Sequence, residues 1–128
     1  PHAFDDLMDS VRAEPVDFLQ FCYSIDERDA EDDILPFCAA NGIATLINVP
    51  FGGGGLLSRL NGTPLPALAG DLGCTSWAQF CLKYVISHPA VTCAIPGTAN
   101  PAHMADILAA AEGEMPDEAT RRDMAELF

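Results

Sequence analysis

VTCAIPGTANPAHMADILAA (residues 91–110) reads as a short apolar strand, a Pro/Gly turn and a helix, and the other segments of the chain repeat that order. Residues 91–95 are too few for a helix and are bounded by His88-Pro89 and Pro96-Gly97. Asn100 offers a side-chain oxygen as N-cap, and Pro101 suits the first helical position, where a missing N–H is no loss. Met104, Ile107, Leu108 and Ala111 follow at helical spacing. A turn from strand end to helix start aims free backbone N–H groups and the positive end of the helix dipole at one spot. That spot suits an anion, commonly a phosphate. The same residues equally make an ordinary βα turn that binds nothing.

Upstream, GIATLINV (42–49) reads as a second strand and PFGGGG (50–55) as the loop leaving it. The glycines let backbone approach a ligand closely, but they lack the Lys-Ser/Thr of a P-loop and the spacing of a dinucleotide fingerprint. VDFLQFCYS (16–24) is almost continuously apolar, as in a strand buried on both faces of a parallel sheet. Gln20 and Tyr23 are its polar exceptions; an amide near the end of such a strand either satisfies backbone groups or faces a ligand. Helices are expected over 3–13, where Phe4, Leu7, Met8 and Val11 form a stripe that Pro15 stops, and over 26–40, with Asn41-Gly42 as a C-cap. Short helices fit 56–60 and 65–72. A longer one starts at Thr75 or Ser76, carries Trp77, Phe80, Cys81, Tyr84 and Val85 as its stripe, and ends at His88-Pro89. A last one starts at Met115-Pro116-Asp117 and runs to about Leu127. Alternating strands and helices mean βαβ units and a parallel sheet. Three strands with helices on one face leave two edges and one face uncovered, so the sheet needs partner strands.

A chain of 128 residues with 49% hydrophobic content is one domain with a real core. Its longest apolar run falls short of the ~20 residues of a membrane-spanning helix, and its start has no signal-peptide pattern. The chain opens on Pro1, so a processed product or part of a longer protein is expected. Six basic against nineteen acidic residues give a formal charge of −13, which disfavours nucleic acid and anionic membrane as partners. It also opposes a phosphate ligand unless local dipoles and hydrogen bonds overcome the field. DERDAEDD (26–33) lacks the glycine and spacing of a calcium loop, and no metal-ligand set is evident. Cys22, Cys38, Cys74, Cys81 and Cys93 are odd in number and without C-x-x-C spacing; buried free thiols in a reducing, cytoplasmic setting are expected. Lys83, adjacent to Tyr84 on a helix, reads as a surface lysine.

VDFLQFCYS, GIATLINVPFGGG and above all AIPGTANPAHMADILAA resemble the C-terminal part of the aldo/keto reductases. The resemblance runs from about His2 to Phe128, and its most specific part is IPG-x-x-NP-x-H after an apolar strand. It implies a partial (β/α)8 TIM barrel in an α/β class, the three parallel strands corresponding to strands six to eight, with flanking helices and residues 1–128 as one unit. It also implies hydride transfer between a nicotinamide cofactor, NADP(H) by expectation, and a carbonyl or alcohol. The family's catalytic Asp, Tyr, Lys and His belong to the early strands, so the resemblance assigns this chain no catalytic residue and no reductase activity alone. What it carries over is the cofactor side. Gln20 and Asn48 fall at nicotinamide positions, the latter where many members stack an aromatic ring. Pro50, Phe51, Gly52 and Gly53 fall along the pyrophosphate. Ile95, Gly97, Thr98 and Asn100 surround the adenosine phosphate, His103 stands where a basic residue commonly meets the 2′-phosphate, and Asp106 belongs to the adenine pair, whose second member reads Ile107. The partners implied are the nucleotide and either the N-terminal half of the barrel or a second copy of the chain. The alternative function is a catalytically inactive half-barrel that acts as an oligomerising or interaction module.

Overall fold

The structure, a computed structural model, describes residues 4–128. Three strands, β1 (Phe18–Cys22), β2 (Ala44–Asn48) and β3 (Cys93–Ala94), form one parallel sheet in the order β1-β2-β3. Gln20 pairs with Leu46 and Leu46 with Cys93, so the two outer strands present these residues on the same face as β2 does.

Burial on β1 alternates rather than being continuous. Leu19 and Phe21 are buried, whereas Phe18 is 65% exposed and Gln20 is exposed. The expectation of a doubly buried strand therefore fails, because among the described residues helices cover one face of the sheet only. Phe18, Gln20, Cys22, Leu46, Asn48 and Cys93 share the uncovered face. Cys93 is accordingly exposed and Cys22 half-buried, against the expectation that every thiol is buried. Cys38, Cys74 and Cys81 do lie inside, and burial pushes the Cys81 thiol up to about 12.

β3 is shorter than the five residues expected. Just before it, hydroxyls replace ladder bonds: Thr45 N donates to Thr92 Oγ1 at 2.9 Å, and Thr92 N donates to Thr45 Oγ1 at 3.0 Å. Thr45 Oγ1 in turn donates to Ala90 O at 2.7 Å.

The helices are α1 (Asp5–Ala13), α2 (Ile34–Asn41), α3 (Gly55–Leu60), α4 (Ala67–Asp71), α5 (Trp77–Ile86), α6 (Pro101–Leu108) and α7 (Glu118–Ala125). The expected helix start at Ala3, like the beginning of the resemblance at His2, lies outside the described residues. α2 begins eight residues later than expected; the acidic run before it makes turns and a single 3-10 turn at Asp29–Glu31. Its stop is as expected, with Gly42 at φ 65°, the left-handed conformation that glycine adopts at low cost.

α5 is the central helix, buried continuously from Gln79 to Val85. Lys83, taken for a surface lysine, is only 1% exposed. Its Nζ donates to Leu72 O at 3.0 Å and Glu112 O at 2.7 Å, tying the end of α4 to the end of the α6 segment. Those two orphan carbonyls at helix ends explain why a lysine is stable there. α6 lies against α5 through Ile107 and Ala110; Leu108 is 64% exposed and Ala111 exposed, because the helix tightens to a 3-10 turn at Ala109–Ala111 and shifts the buried face.

Candidate functional site

A cleft of about 920 Å³ opens beyond the C-terminal ends of β2 and β3. One wall is the loop leaving β2, the other the loop from β3 into α6. Pro50, Phe51, Gly53, Ile95, Gly97, Thr98, His103 and Asp106 all line it, so most of the residues singled out in the sequence converge here.

The other four singled-out residues are placed differently. Gln20 and Asn48 meet each other on the open face, Gln20 Nε2 donating to Asn48 Oδ1 at 2.7 Å. Gly52 lies on the far side of its loop, where a Cβ would come within 3.1 Å of Asp26 Oδ1. Asn100 is used as the N-cap of α6: its Oδ1 accepts from Ala102 N at 2.9 Å, and its own N–H donates to Thr98 Oγ1 at 3.1 Å. The cap was legible in the sequence, and it closes the turn that carries Gly97 and Thr98.

Asp106 is braced rather than free to turn toward a ligand. Ser76 Oγ donates to Asp106 Oδ2 at 2.7 Å, and Gln79 Nε2 to Asp106 Oδ1 at 2.7 Å. Ser76 is also the N-cap of α5, its hydroxyl accepting from Gln79 N at 3.1 Å. The carboxylate thus sits at a helix N-terminus, where the dipole favours negative charge, and clamps α6 to α5.

The glycine loop is held from outside the cleft. Ser24 Oγ donates to Asp26 Oδ1 at 2.8 Å, and Arg59 on α3 pairs with Asp26 Oδ2. Burial pushes the Asp26 carboxyl up, but the Ser24 hydroxyl and the Arg59 guanidinium outweigh it and hold the group below its usual range. Between β2 and the loop, Val49 adopts φ 52°. A β-branched residue in the left-handed region stores strain, and it does so here in the cleft wall. Gly52 N closes the turn on Val49 O at 3.0 Å.

Sequence reasoning missed the outer wall: Leu57, Ser58, Asn61, Gly62, Thr63, Trp77 and Ala78 also line the cleft. Trp77 Nε1 donates to Thr63 O at 2.8 Å, which folds the 61–63 turn back over the cleft. The Asn61-Gly62 turn was visible in the sequence; the tryptophan that closes it comes from a helix 14 residues on.

On the covered side of the sheet lies a second polar cluster. Glu31 Oε1 accepts from Tyr23 Oη, from Tyr84 Oη at 2.6 Å and from Arg121 Nη2 at 3.2 Å. Arg121 also donates to Tyr84 O, to Ser87 Oγ at 2.9 Å and to Tyr23 Oη at 2.8 Å, with its guanidinium 4.1 Å from the Tyr84 ring centroid. Burial and the Glu31 carboxylate push the Tyr84 hydroxyl up to about 12 and Tyr23 upward also, so both stay neutral donors.

The family profile described as the Aldo/keto reductase family matches residues 6–122, and the chain belongs to that family. Among solved structures it is similar to the thermostable aldo-keto reductase Tm1743, in complex with the inhibitor epalrestat, at 26% identity and a TM-score of 0.66, over 95% of this chain and 44% of that one. It is also similar in fold to the aldo-keto reductase AKR11C1 from Bacillus halodurans, in its holo form, at 18% identity and a TM-score of 0.70, over 95% of this chain and 46% of that one. The chain thus spans less than half the length of these structures. No curated protein matches it significantly.

Proposed function

We propose that residues 1–128 are the cofactor-binding part, strands six to eight, of an aldo/keto reductase barrel that transfers hydride between a nicotinamide dinucleotide and an aldehyde, ketone or sugar-like alcohol. The observation that carries this reading is the convergence of the β2 glycine loop and the β3–α6 turn on one cleft at the strand ends. That end of a (β/α)8 barrel is where its active sites sit.

The residues present fit a dinucleotide. The cleft volume falls within the usual range for cofactor sites. Gly53 and Gly97 bring bare backbone to its walls, and a Cβ at Gly97 would meet nothing within 4 Å. In this reading Pro50, Phe51 and Gly53 follow the pyrophosphate, with Gly52 holding their turn from behind, and Ile95, Gly97, Thr98 and His103 follow the adenosine side, with the first turn of α6 as positive pole. Asn100 and Asp106 act through the backbone they hold. The joined amides of Gln20 and Asn48 supply the nicotinamide end with one donor–acceptor unit on the open face. The nucleotide, when bound, supplies the hydride; the proton donor belongs to the other strands of the barrel.

Fluorescence titration of the purified chain with reduced nicotinamide nucleotide, beside an assay of carbonyl reduction, tests this. Saturable binding without turnover is expected. No binding at millimolar nucleotide overturns it.

The exposed apolar side chains of the sheet favour a second reading, assembly through that face. Phe18, on the uncovered face, is 65% exposed. In this reading the face is closed by complementary barrel strands or by a second copy, and the chain acts as an inactive interaction module. A monodisperse monomer in light scattering overturns the self-association.

A further inference from the structure

We infer that the cleft selects the nucleotide without a 2′-phosphate, NAD(H), over NADP(H). The inference rests on the proposed nucleotide site and departs from the NADP(H) that the family resemblance implies.

Charge separates the two nucleotides. Every nicotinamide dinucleotide brings a pyrophosphate, and backbone N–H groups and the α6 N-terminus are present to meet it. NADP(H) brings in addition a phosphomonoester, which carries about −1.5 to −2 charge at neutral pH. A tight site for such a group uses arginine or lysine in charge-assisted contact.

The described residues that line the cleft include neither lysine nor arginine. Wherever along the cleft the extra phosphate falls, it meets apolar side chains, hydroxyls, an amide, one imidazole at His103 and the carboxylate of Asp106. Ser76 and Gln79 hold that carboxylate in place, so it does not swing away to make room. The chain's lone lysine, Lys83, is buried on two carbonyls. Arg59, on the α3 element beside the cleft, is committed to Asp26. Arg121 is committed to Glu31, Tyr84 and Ser87, at the end of α5 away from Trp77 and Ala78 in the cleft. The long-range field adds to this, since six basic residues stand against nineteen acidic ones.

The missing charge-assisted contact amounts to about tenfold or more in affinity. The test is a pair of fluorescence titrations of the chain, with NADH and with NADPH, repeated with ADP-ribose and its 2′-phosphorylated form as competitors of NADH. NADH is expected to bind at least about tenfold more tightly than NADPH, with the same preference in the competitor pair. Binding of both nucleotides with equal strength, or tighter binding of NADPH, overturns the selection and leaves the nucleotide site standing. Failure of all four to bind overturns the nucleotide site and the selection together.

Discussion

Two polar regions among the described residues draw on opposite ends of α5, Trp77 and Ala78 lining the cleft and Tyr84 and Ser87 joining the Arg121 network, and they are built on opposite plans. Around Arg121, donors and acceptors consume each other: a guanidinium, two phenols, a carboxylate and a serine close into one network, with Tyr23 fully buried and Arg121 7% exposed. In the cleft, side-chain polarity is spent on shaping the walls, through the Asn100 cap, the Asp106 clamp and the Asp26–Arg59 pair, while glycine backbone faces the space between. The first plan fixes the fold. The second leaves main-chain groups where a ligand can reach them. In the cluster of two tyrosines, a glutamate and an arginine, the hydrogen-bonding groups are thus already used within the fold.

The largest effect should come from breaking the saturated side. Arg121→Met leaves Glu31 and the Tyr84 carbonyl without their cationic partner and should cost about 3 kcal/mol in urea unfolding. A loss within about 0.5 kcal/mol would mean the network is ornamental to stability. Next comes the cleft wall. Gly52→Ala forces a Cβ at φ 57° to within 3.1 Å of the Asp26 carboxylate. It should cost about 1–2 kcal/mol and weaken nucleotide binding by moving the loop. An unchanged unfolding midpoint with unchanged affinity would remove the loop's rigidity from the comparison.

The smallest effect sharpens the contrast through pH. Burial and the nearby Arg121 charge lower the pKa of His88, against a smaller opposing pull from Glu31. The folded chain then binds fewer protons than the unfolded one between about pH 6.5 and the lowered value, so stability falls as pH drops through that window. His88→Asn should flatten that part of a pH series of urea midpoints. An identical slope in the variant would place the acid sensitivity among the carboxylates instead.

Much of the architecture was legible because it rests on local rules. Pro and Gly punctuate the strands, Asn100-Pro101 and Asp117 mark helix starts, Asn41-Gly42 marks a stop, and strand-helix alternation requires parallel pairing. The β2 glycine loop and the β3–α6 turn were legible as candidate cleft walls for the same reason, since each is a continuous stretch of chain.

What only the tertiary structure decided depends on groups far apart in sequence. The identical apolar run of β1 reads as buried on two faces, yet which face is covered depends on where helices pack, and Phe18 stands exposed as a result. Lys83 looks like any helix lysine until two carbonyls from residues 72 and 112 arrive at its ammonium group. Trp77 reaches back to Thr63, and Asp106 reaches Ser76 and Gln79. Local backbone preference is written within a few residues and can be read there. Burial and partner choice are set by the whole packed chain, because a side chain's solvent and its hydrogen bonds are supplied by segments that sequence spacing does not bring together.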